Sequence, residues 1–172
     1  MSRTALVFIV LLLSLPSWLC KKEYKEDYLI PEGYVGYVRV IHEVADAPPL
    51  PVENGRIVYK FDESGVIKTS DKVRVGTIYP NYYYYSGNTK RLLPNKFWGE
   101  GGMIHNGGVA NAVNLNFFVG TESEMTLWVD SDCKEKDKDG YVPRNVRQCI
   151  EEFARSRKEN TIYADKPNKE QK

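Results

Sequence analysis

The chain has few of the side chains that most catalytic and metal sites use, because its 172 residues include only two histidines and three cysteines. No Cys-x-x-Cys is present and no histidine stands at a zinc-ligand spacing from a cysteine, which disfavours a zinc site. The Gly-x-Ser-x-Gly of a hydrolase nucleophile elbow and the Gly-Lys-Ser/Thr of a phosphate-binding loop are also absent. We therefore expect no metal ion or other cofactor, and these absences favour a non-enzymatic role.

The chain also lacks an excess of either charge. Lysine and arginine number 24 and aspartate and glutamate 23, and removal of residues 1–19 with Arg3 would leave 23 of each. A protein without net charge has no general electrostatic attraction to nucleic acid or to an anionic membrane. Nucleic acid is therefore not an expected partner.

The long apolar run of this sequence lies at its N-terminus. Arg3 precedes apolar residues from Ala5 to Leu15, and charged residues begin directly after Cys20. This layout is typical of a bacterial export signal, and the run is too short to span comfortably a hydrocarbon core of about 30 Å. We interpret residues 1–19 as a signal peptide and residues 20–27 as a charged tether on the extracytoplasmic side.

Cys20 is the candidate lipidation site. A cysteine between an apolar run and polar residues is where a lipoprotein signal is cut and a diacylglycerol attached, and its acyl chains anchor a protein to a bilayer. Trp18 and Leu19 stand where such signals usually carry small residues. An uncut signal anchor and cleavage by the ordinary signal peptidase therefore stay open, although no Ala-x-Ala precedes Lys21.

The two remaining cysteines, Cys133 and Cys149, form an even pair if Cys20 is lipidated. They stand 16 residues apart, and a disulfide closing a loop of that size stabilises a fold by about 3 kcal/mol. Two reduced thiols are the alternative if the compartment is not oxidising. We predict the disulfide.

Most of the chain has the pattern of short strands and turns. Twelve tyrosines, 13 glycines and many valines favour strands over a helical bundle. Residues 34–44 alternate, with Val38 and Val40 on one face and Arg39 on the other, as in a half-buried strand. The same reasoning predicts strands at 56–61, 66–70, 72–78, 82–85, 114–119 and 125–130, with turns such as Asn54-Gly55 between them.

The C-terminal part has a helical period instead. Apolar residues from Val146 to Phe153 recur at helical spacing, which predicts an amphipathic helix at about 144–157. The glycine-rich stretch 97–108 has no period and is expected to be a long loop, and residues 161–172 a flexible tail.

These elements predict one β-rich domain over residues 28–160. Short strands at regular spacing are typical of an antiparallel β-sandwich, here with one C-terminal amphipathic helix on one sheet. Both an immunoglobulin-like and a transthyretin-like sandwich fit the pattern.

The run Tyr82–Tyr85 suggests a binding surface. In a strand, Tyr82 and Tyr84 point one way and the next tyrosines the other, so one pair can be exposed. With Trp98, Tyr82 and Tyr84 would form a surface that stacks sugar rings or grips a partner protein. The alternative is cross-strand aromatic packing that only stabilises the sheet.

The sequence also contains candidate catalytic residues and a segment that resembles the start of a calcium-binding loop. His42 shares a face with valines and is expected to be packed, while His105 in the glycine-rich loop is the better catalytic candidate. A pair of carboxylates for glycoside hydrolysis also stays open. Glu135-x-Asp137-x-Asp139-Gly140 begins like a calcium loop, but Val146 stands where a bidentate glutamate is required, so we expect a bare charged loop.

Four motifs carry a resemblance to a known family. Tyr28-Leu-Ile-Pro-Glu-Gly-Tyr-Val-Gly-Tyr-Val38, Ala47-Pro-Pro-Leu-Pro51, Asn54-Gly55 and Ser64-Gly-Val-Ile-Lys-Thr-Ser70 are similar to a bacterial domain family of unknown function with small exported or lipoprotein-like members. The resemblance covers about residues 28–121 and implies a recurring β-rich module outside the cytoplasm, with no activity to transfer.

Together these features predict an envelope-tethered, non-enzymatic interaction or accessory module. Its expected partners are the membrane, through the N-terminal lipid, and an envelope protein or glycan. The alternative is a carbohydrate- or peptidoglycan-directed protein that binds or hydrolyses its target.

Overall fold

The computed structural model describes residues 22–97, 99–111 and 114–164. The predicted signal peptide, Cys20, Trp98 and the last part of the predicted tail lie outside these residues. The strands are β1 (Glu23–Pro31), β2 (Gly36–Ile41), β3 (Val52–Glu53), β4 (Arg56–Lys60), β5 (Val66–Lys68), β6 (Thr77–Ser86), β7 (Thr89–Leu92), β8 (Ile104–Asn111), β9 (Asn114–Val119), β10 (Lys136–Asp137) and β11 (Gly140–Tyr141), and the helices are α1 (Glu122–Asp130) and α2 (Arg147–Ala164).

Two sheets face each other across the main core. The five-stranded sheet has the order β3-β4-β1-β6-β7 and the four-stranded sheet the order β5-β2-β9-β8. Their inner faces interdigitate: Phe117 of the second sheet meets Tyr28 and Tyr82 of the first edge-on, at centroid distances of 5.5 and 5.4 Å. The predicted mainly β, sandwich-like fold with a C-terminal helix is therefore confirmed.

The strand pairing is mixed rather than wholly antiparallel. β1 lies between β4 and β6 and is parallel to both, and β2 is parallel to β5. Parallel neighbours need a crossover connection. The chain provides it by passing through β2 of the other sheet between β1 and β4, and through β5 between β4 and β6.

The predicted tether is wrong, because residues 23–27 belong to the central strand of the five-stranded sheet. Glu26 and Asp27 are 1% and 7% exposed, and both carboxylates have hydrogen-bond donors within 3.2 Å. A buried carboxylate is tolerated when it is paired in this way. The charge of this segment therefore did not indicate a solvated linker.

Residues 125–130 form part of α1, so the strand predicted there is wrong. The Thr121 side chain accepts a hydrogen bond from the Glu124 amide, and the Glu124 carboxylate accepts one from the Thr121 amide. This capping box pairs two amides that a helix start otherwise leaves without partners. The six-residue window was too short to separate a strand period from a helix period, whereas the Thr-x-x-Glu signal did mark a helix.

Other boundaries also differ from the expectations. The strand predicted at 72–78 begins only at Thr77, and β8 begins at Ile104 inside the stretch predicted as a loop. The predicted C-terminal helix is present but runs from Arg147 to Ala164.

The helices form a third layer on the four-stranded sheet. A second core of buried residues joins that sheet to α1, α2 and the segment between them: Val35, Tyr37, Phe118, Trp128, Cys133, Val146 and Ile150. Cys133 and Cys149 are bonded to each other, as predicted. Neither described helix combines the length and the apolar character needed to cross a bilayer. The outer face of the five-stranded sheet carries no such layer in the described part of the chain.

Candidate functional site

The structure corrects the predicted tyrosine surface. The alternation along β6 is as predicted, but Tyr82 and Tyr84 are the buried pair, at 8% and 2% exposure. Tyr82 stacks on Tyr28 with ring centroids 4.9 Å apart, and the Tyr84 hydroxyl donates to the Tyr34 carbonyl at 2.6 Å. Both rings belong to the main core between the two sheets and are covered by it. Burial raises the pKa of both phenols to about 12.

The other tyrosines of β6 lie on the outer face of the five-stranded sheet. We call this surface the tyrosine face and define it by Tyr79, Tyr83, Tyr85, Lys60 and Lys90. The Lys60 ammonium lies 5.0 Å from the centre of the Tyr85 ring, and the Lys90 ammonium 4.6 Å from that of Tyr83. Tyr79 is 48% exposed. Such cation–aromatic pairs stabilise modestly in solvent and present aromatic area next to positive charge.

A buried carboxylate organises the middle of the tyrosine face. Asp27 accepts hydrogen bonds from Arg56 Nε at 2.5 Å and from Asn81 Nδ2 at 3.1 Å, and Lys90 Nζ lies 3.9 Å away. Arg56 also donates to the Tyr79 carbonyl at 3.0 Å. These bonds join β4, β1 and β6 across the outer face. The tyrosine face is therefore held in place before any ligand arrives.

A second polar cluster lies inside the core, around Glu26. Its carboxylate accepts from the Tyr28 hydroxyl at 2.5 Å and from the Tyr59 hydroxyl at 3.2 Å. Arg74 donates to the Tyr59 hydroxyl at 3.1 Å and to Asp71 Oδ2 at 2.8 Å. Burial, and then the neighbouring Glu26 charge, raise the pKa of Tyr59 above its usual range. The cluster ties β1 to the segment that precedes β6 and leaves Glu26 no access to solvent.

The two histidines occupy buried positions. His42 is 5% exposed, as predicted, and its Nδ1 lies 3.3 Å from the Asp71 carbonyl. Burial lowers the pKa of His42. His105 stands at the start of β8 rather than in a loop, is 9% exposed, and its Nε2 lies 3.0 Å from the Gly120 carbonyl. Both rings therefore contact backbone carbonyls within the fold.

The acidic segment near residue 137 is not the bare loop that we expected. Asp137 forms two hydrogen bonds to the Arg39 guanidinium, at 2.9 and 3.1 Å, and Arg39 also reaches the Asn116 side chain and the Tyr141 carbonyl. The hydrogen bonds from Arg39 lower the pKa of Asp137. In the described part of the chain, no group of three or more His, Cys, Asp or Glu side chains is placed to hold a metal ion.

Sequence reasoning missed the two clusters centred on β1. Glu26 and Asp27 belonged to the supposed tether, although Tyr24, Glu26, Tyr28 and Ile30 alternate with Lys25, Asp27 and Leu29 in the period of a strand. That period was the available signal. The charges of Glu26 and Asp27 favoured a solvated tether instead, because charged side chains are seldom buried.

Comparisons with known proteins agree with this fold. Residues 22–136 match the model of a family described as “Family of unknown function (DUF6843)”, which confirms the resemblance drawn from the motifs. The crystal structure of a “Putative Lipoprotein from Bacillus anthracis” is similar, with a TM-score of 0.50 and 22% identity over 80% of this chain and 96% of that chain. At that identity the likeness establishes the fold alone. No curated protein matches the chain.

Proposed function

The chain belongs to the Family of unknown function (DUF6843), and from that premise we propose that it is a non-enzymatic interaction module, tethered through Cys20 to the extracytoplasmic side of a membrane. The observation that carries the proposal is the Cys133–Cys149 disulfide. Disulfides persist in oxidising compartments outside the cytoplasm. The pairing leaves Cys20 as the single cysteine of the sequence outside the bond, directly after the export-type apolar run.

The position of β1 supports a short anchor. The strand begins at Glu23, three residues after Cys20, and lies in the centre of the five-stranded sheet. Lipid chains on Cys20 would therefore connect to the middle of the folded domain without a flexible linker. The Bacillus anthracis protein with a similar fold bears a lipoprotein description, which agrees with this placement.

The module's interaction surface, in this proposal, is the tyrosine face. It lies on the outer side of a sheet whose inner side meets the other sheet, and it combines three tyrosines with two lysines. Tyrosine combines apolar area with a hydrogen-bonding tip, which suits contacts with a protein or a glycan. The Tyr85 hydroxyl already donates to the Phe61 carbonyl at 2.7 Å, so this residue offers a partner its ring. The face replaces the surface first predicted from Tyr82 and Tyr84.

Carbohydrate or peptidoglycan binding is the second candidate, and the exposure of Tyr79 favours it. Lysines cover the rings of Tyr83 and Tyr85, so a sugar that stacks there has to displace them. A protein partner with carboxylate side chains can pair with the two ammonium groups where they lie. We therefore rank a protein partner before a glycan.

The anchor is tested by the intact mass of the protein extracted from the membrane fraction of a bacterial host. The expected mass is that of a chain beginning at Cys20 plus a diacylglycerol, with or without a third acyl chain. A Cys20→Ser variant should lose the lipid mass and remain uncut or leave the membrane. A wild-type protein of full length, or one without lipid, would contradict the proposal.

The surface is tested by sedimentation with purified peptidoglycan and by crosslinking in intact envelopes. A Tyr83→Ala variant should lose a crosslinked partner, or the peptidoglycan interaction if the second candidate holds. Phe97→Ala is the matched control, because Phe97 is 83% exposed and lies outside the tyrosine face. Equal behaviour of both variants and the wild-type protein would remove the tyrosine face as the binding surface.

A further inference from the structure

Exposed apolar side chains are concentrated at one end of the five-stranded sheet. The described residues include eight exposed large hydrophobic side chains, and four of them lie between Val73 and Tyr79. Val75 is 85% exposed, Ile78 42% and Val73 38%. Scattered single residues of this kind are ordinary on a protein surface, but a group within seven residues indicates a contact with an apolar partner.

The segment that carries these valines is held with both of them outward. Arg74 stands between Val73 and Val75, and its guanidinium turns inward to Tyr59 and Asp71, at 3.1 and 2.8 Å. The Arg74 side chain is only 17% exposed, and its two hydrogen bonds fix the position of this segment against the sheet. The exposed valines are therefore a fixed feature of the surface.

The start of the chain lies at the same end of the sheet. β1 and β6 are parallel, and Glu23 at the start of β1 is paired with Thr77 at the start of β6. The Thr77 amide donates to the Lys22 carbonyl at 2.9 Å. A Cβ on Gly76 would clash with that same carbonyl, so only glycine allows this close approach. The apolar segment and the chain leading to Cys20 are thus bound to each other.

The distance from this end to the proposed anchor is short. Two residues separate Glu23 from Cys20, and an extended chain spans about 3.3–3.6 Å per residue, so Cys20 lies within about 11 Å of Glu23. A lipid on Cys20 would place this end of the sheet at the level of the headgroups, which are several ångströms deep.

The charge of this end suits an anionic lipid surface. Residues 21–25 and 71–79 contain five basic and two acidic residues, although the whole chain has a net charge of only +1. Lys22, Lys25 and Lys72 are exposed. Basic residues near a membrane are attracted to an anionic leaflet, and apolar side chains add to that attraction.

We propose that this end of the five-stranded sheet, formed by Lys22, Lys25, Val73, Val75 and Ile78, is a membrane-contact surface that lies in the headgroup layer beside the anchor. The occupant is the lipid bilayer itself, with anionic headgroups. The inference rests on the proposed function, because the lipid on Cys20 sets the distance of this surface from the bilayer. In this orientation the strands of the five-stranded sheet run away from the membrane, and the tyrosine face is perpendicular to the membrane plane.

The test places an environment-sensitive fluorophore at position 75. With Cys133 and Cys149 bonded and Cys20 lipidated, a Val75→Cys variant has one free thiol for a nitrobenzoxadiazole label. The full-length gene is expressed in a bacterial host, and the protein is extracted and reconstituted into vesicles of phosphatidylethanolamine and phosphatidylglycerol, with and without a nitroxide quencher on the lipid headgroups. Phe97→Cys is the matched control, because Phe97 is also outside regular structure and 83% exposed.

We expect the headgroup nitroxide to quench the label at position 75 at least about twofold more than the label at position 97, with a blue-shifted emission at position 75 only. Equal quenching at the two positions would overturn the membrane-contact surface and leave a partner protein as its occupant.

The intact mass of the same samples separates this inference from the anchor. Lipid on Cys20 with equal quenching leaves the anchor standing and the contact surface wrong. If Cys20 carries no lipid, the labels are introduced in Cys20→Ser variants and the protein is added to the same vesicles. Selective quenching at position 75 then supports the contact surface without the acyl anchor, and equal quenching or no association overturns both.

Discussion

Reduction of the Cys133–Cys149 bond should destabilise the helical layer. The bond closes a loop of 16 residues, and in the chain-entropy description such a crosslink contributes about 3 kcal/mol. The other links between α1 and α2 are weaker. Ion pairs join Arg147 to Glu124 at 3.2 Å and Arg157 to Asp130 at 3.1 Å, and exposed pairs of this kind contribute about 0–1 kcal/mol each.

The expected effect is measurable in two ways. Urea unfolding of the purified Cys20→Ser protein, with and without dithiothreitol, should show a free energy of unfolding lower by about 3 kcal/mol in the reduced protein. For a chain of this size the midpoint temperature should fall by about 6–12 °C. Limited proteolysis of the reduced protein should first cut near α2, since the helix would then be held by exposed ion pairs and by the packing of Val146, just before it, and Ile150 in the second core.

The matched control is the double variant Cys133→Ala/Cys149→Ala, which should be less stable than the oxidised protein and insensitive to dithiothreitol. A loss of less than about 1 kcal/mol on reduction would refute the reasoning, because the ion pairs and the second core would then suffice to hold α2. Detection of two free thiols in the protein from the host envelope would refute the oxidising compartment as well.

Two further predictions concern buried polar groups. Arg39→Met should lower the free energy of unfolding by about 2–4 kcal/mol, because it removes the hydrogen-bond donors to Asn116, Asp137 and the Tyr141 carbonyl. Thermal unfolding measures this loss. A loss below about 1 kcal/mol would contradict the prediction. Between pH 7.5 and 5.5 the free energy of unfolding should fall, because burial lowers the pKa of His42 and the unfolded chain therefore takes up its proton first. His42→Gln should flatten this decline in urea unfolding, and an unchanged pH dependence would assign it to other groups.

Elements that depend on neighbouring residues in the chain could be predicted from the sequence, whereas elements that depend on distant residues could not. Periods of two along β2 and β9 were enough to predict those strands, because alternation is local. The half-buried character expected for β2 is wrong, since one of its faces packs in the main core and the other beneath the helices. The same criterion failed at β1. Glu26 and Asp27 are buried only because Tyr28, Tyr59 and Arg56 supply hydrogen bonds, and two of these three residues lie about 30 positions away in the chain.

The tyrosine run illustrates a second limit. Alternation along β6 determines that Tyr82 and Tyr84 share a face, and that the tyrosines next to them share the other. It does not determine which face meets the core. That choice depends on β1, whose Tyr28 and Ile30 are paired with Tyr82 and Tyr84 and point into the core with them.

By itself, the sequence determined the mainly β class, the C-terminal helix, the pairing of two cysteines and the family, because each depends on short periods, a count or a chain of local motifs. Only the tertiary structure decided that the strands pair partly in parallel, that the segment after Cys20 is a central strand, and that Tyr82 and Tyr84 face the core while Tyr83 and Tyr85 lie half-buried on the outer face. The physical reason is that sheet order and facing are set by crossovers and by hydrogen bonds between distant residues. No local pattern encodes those partners.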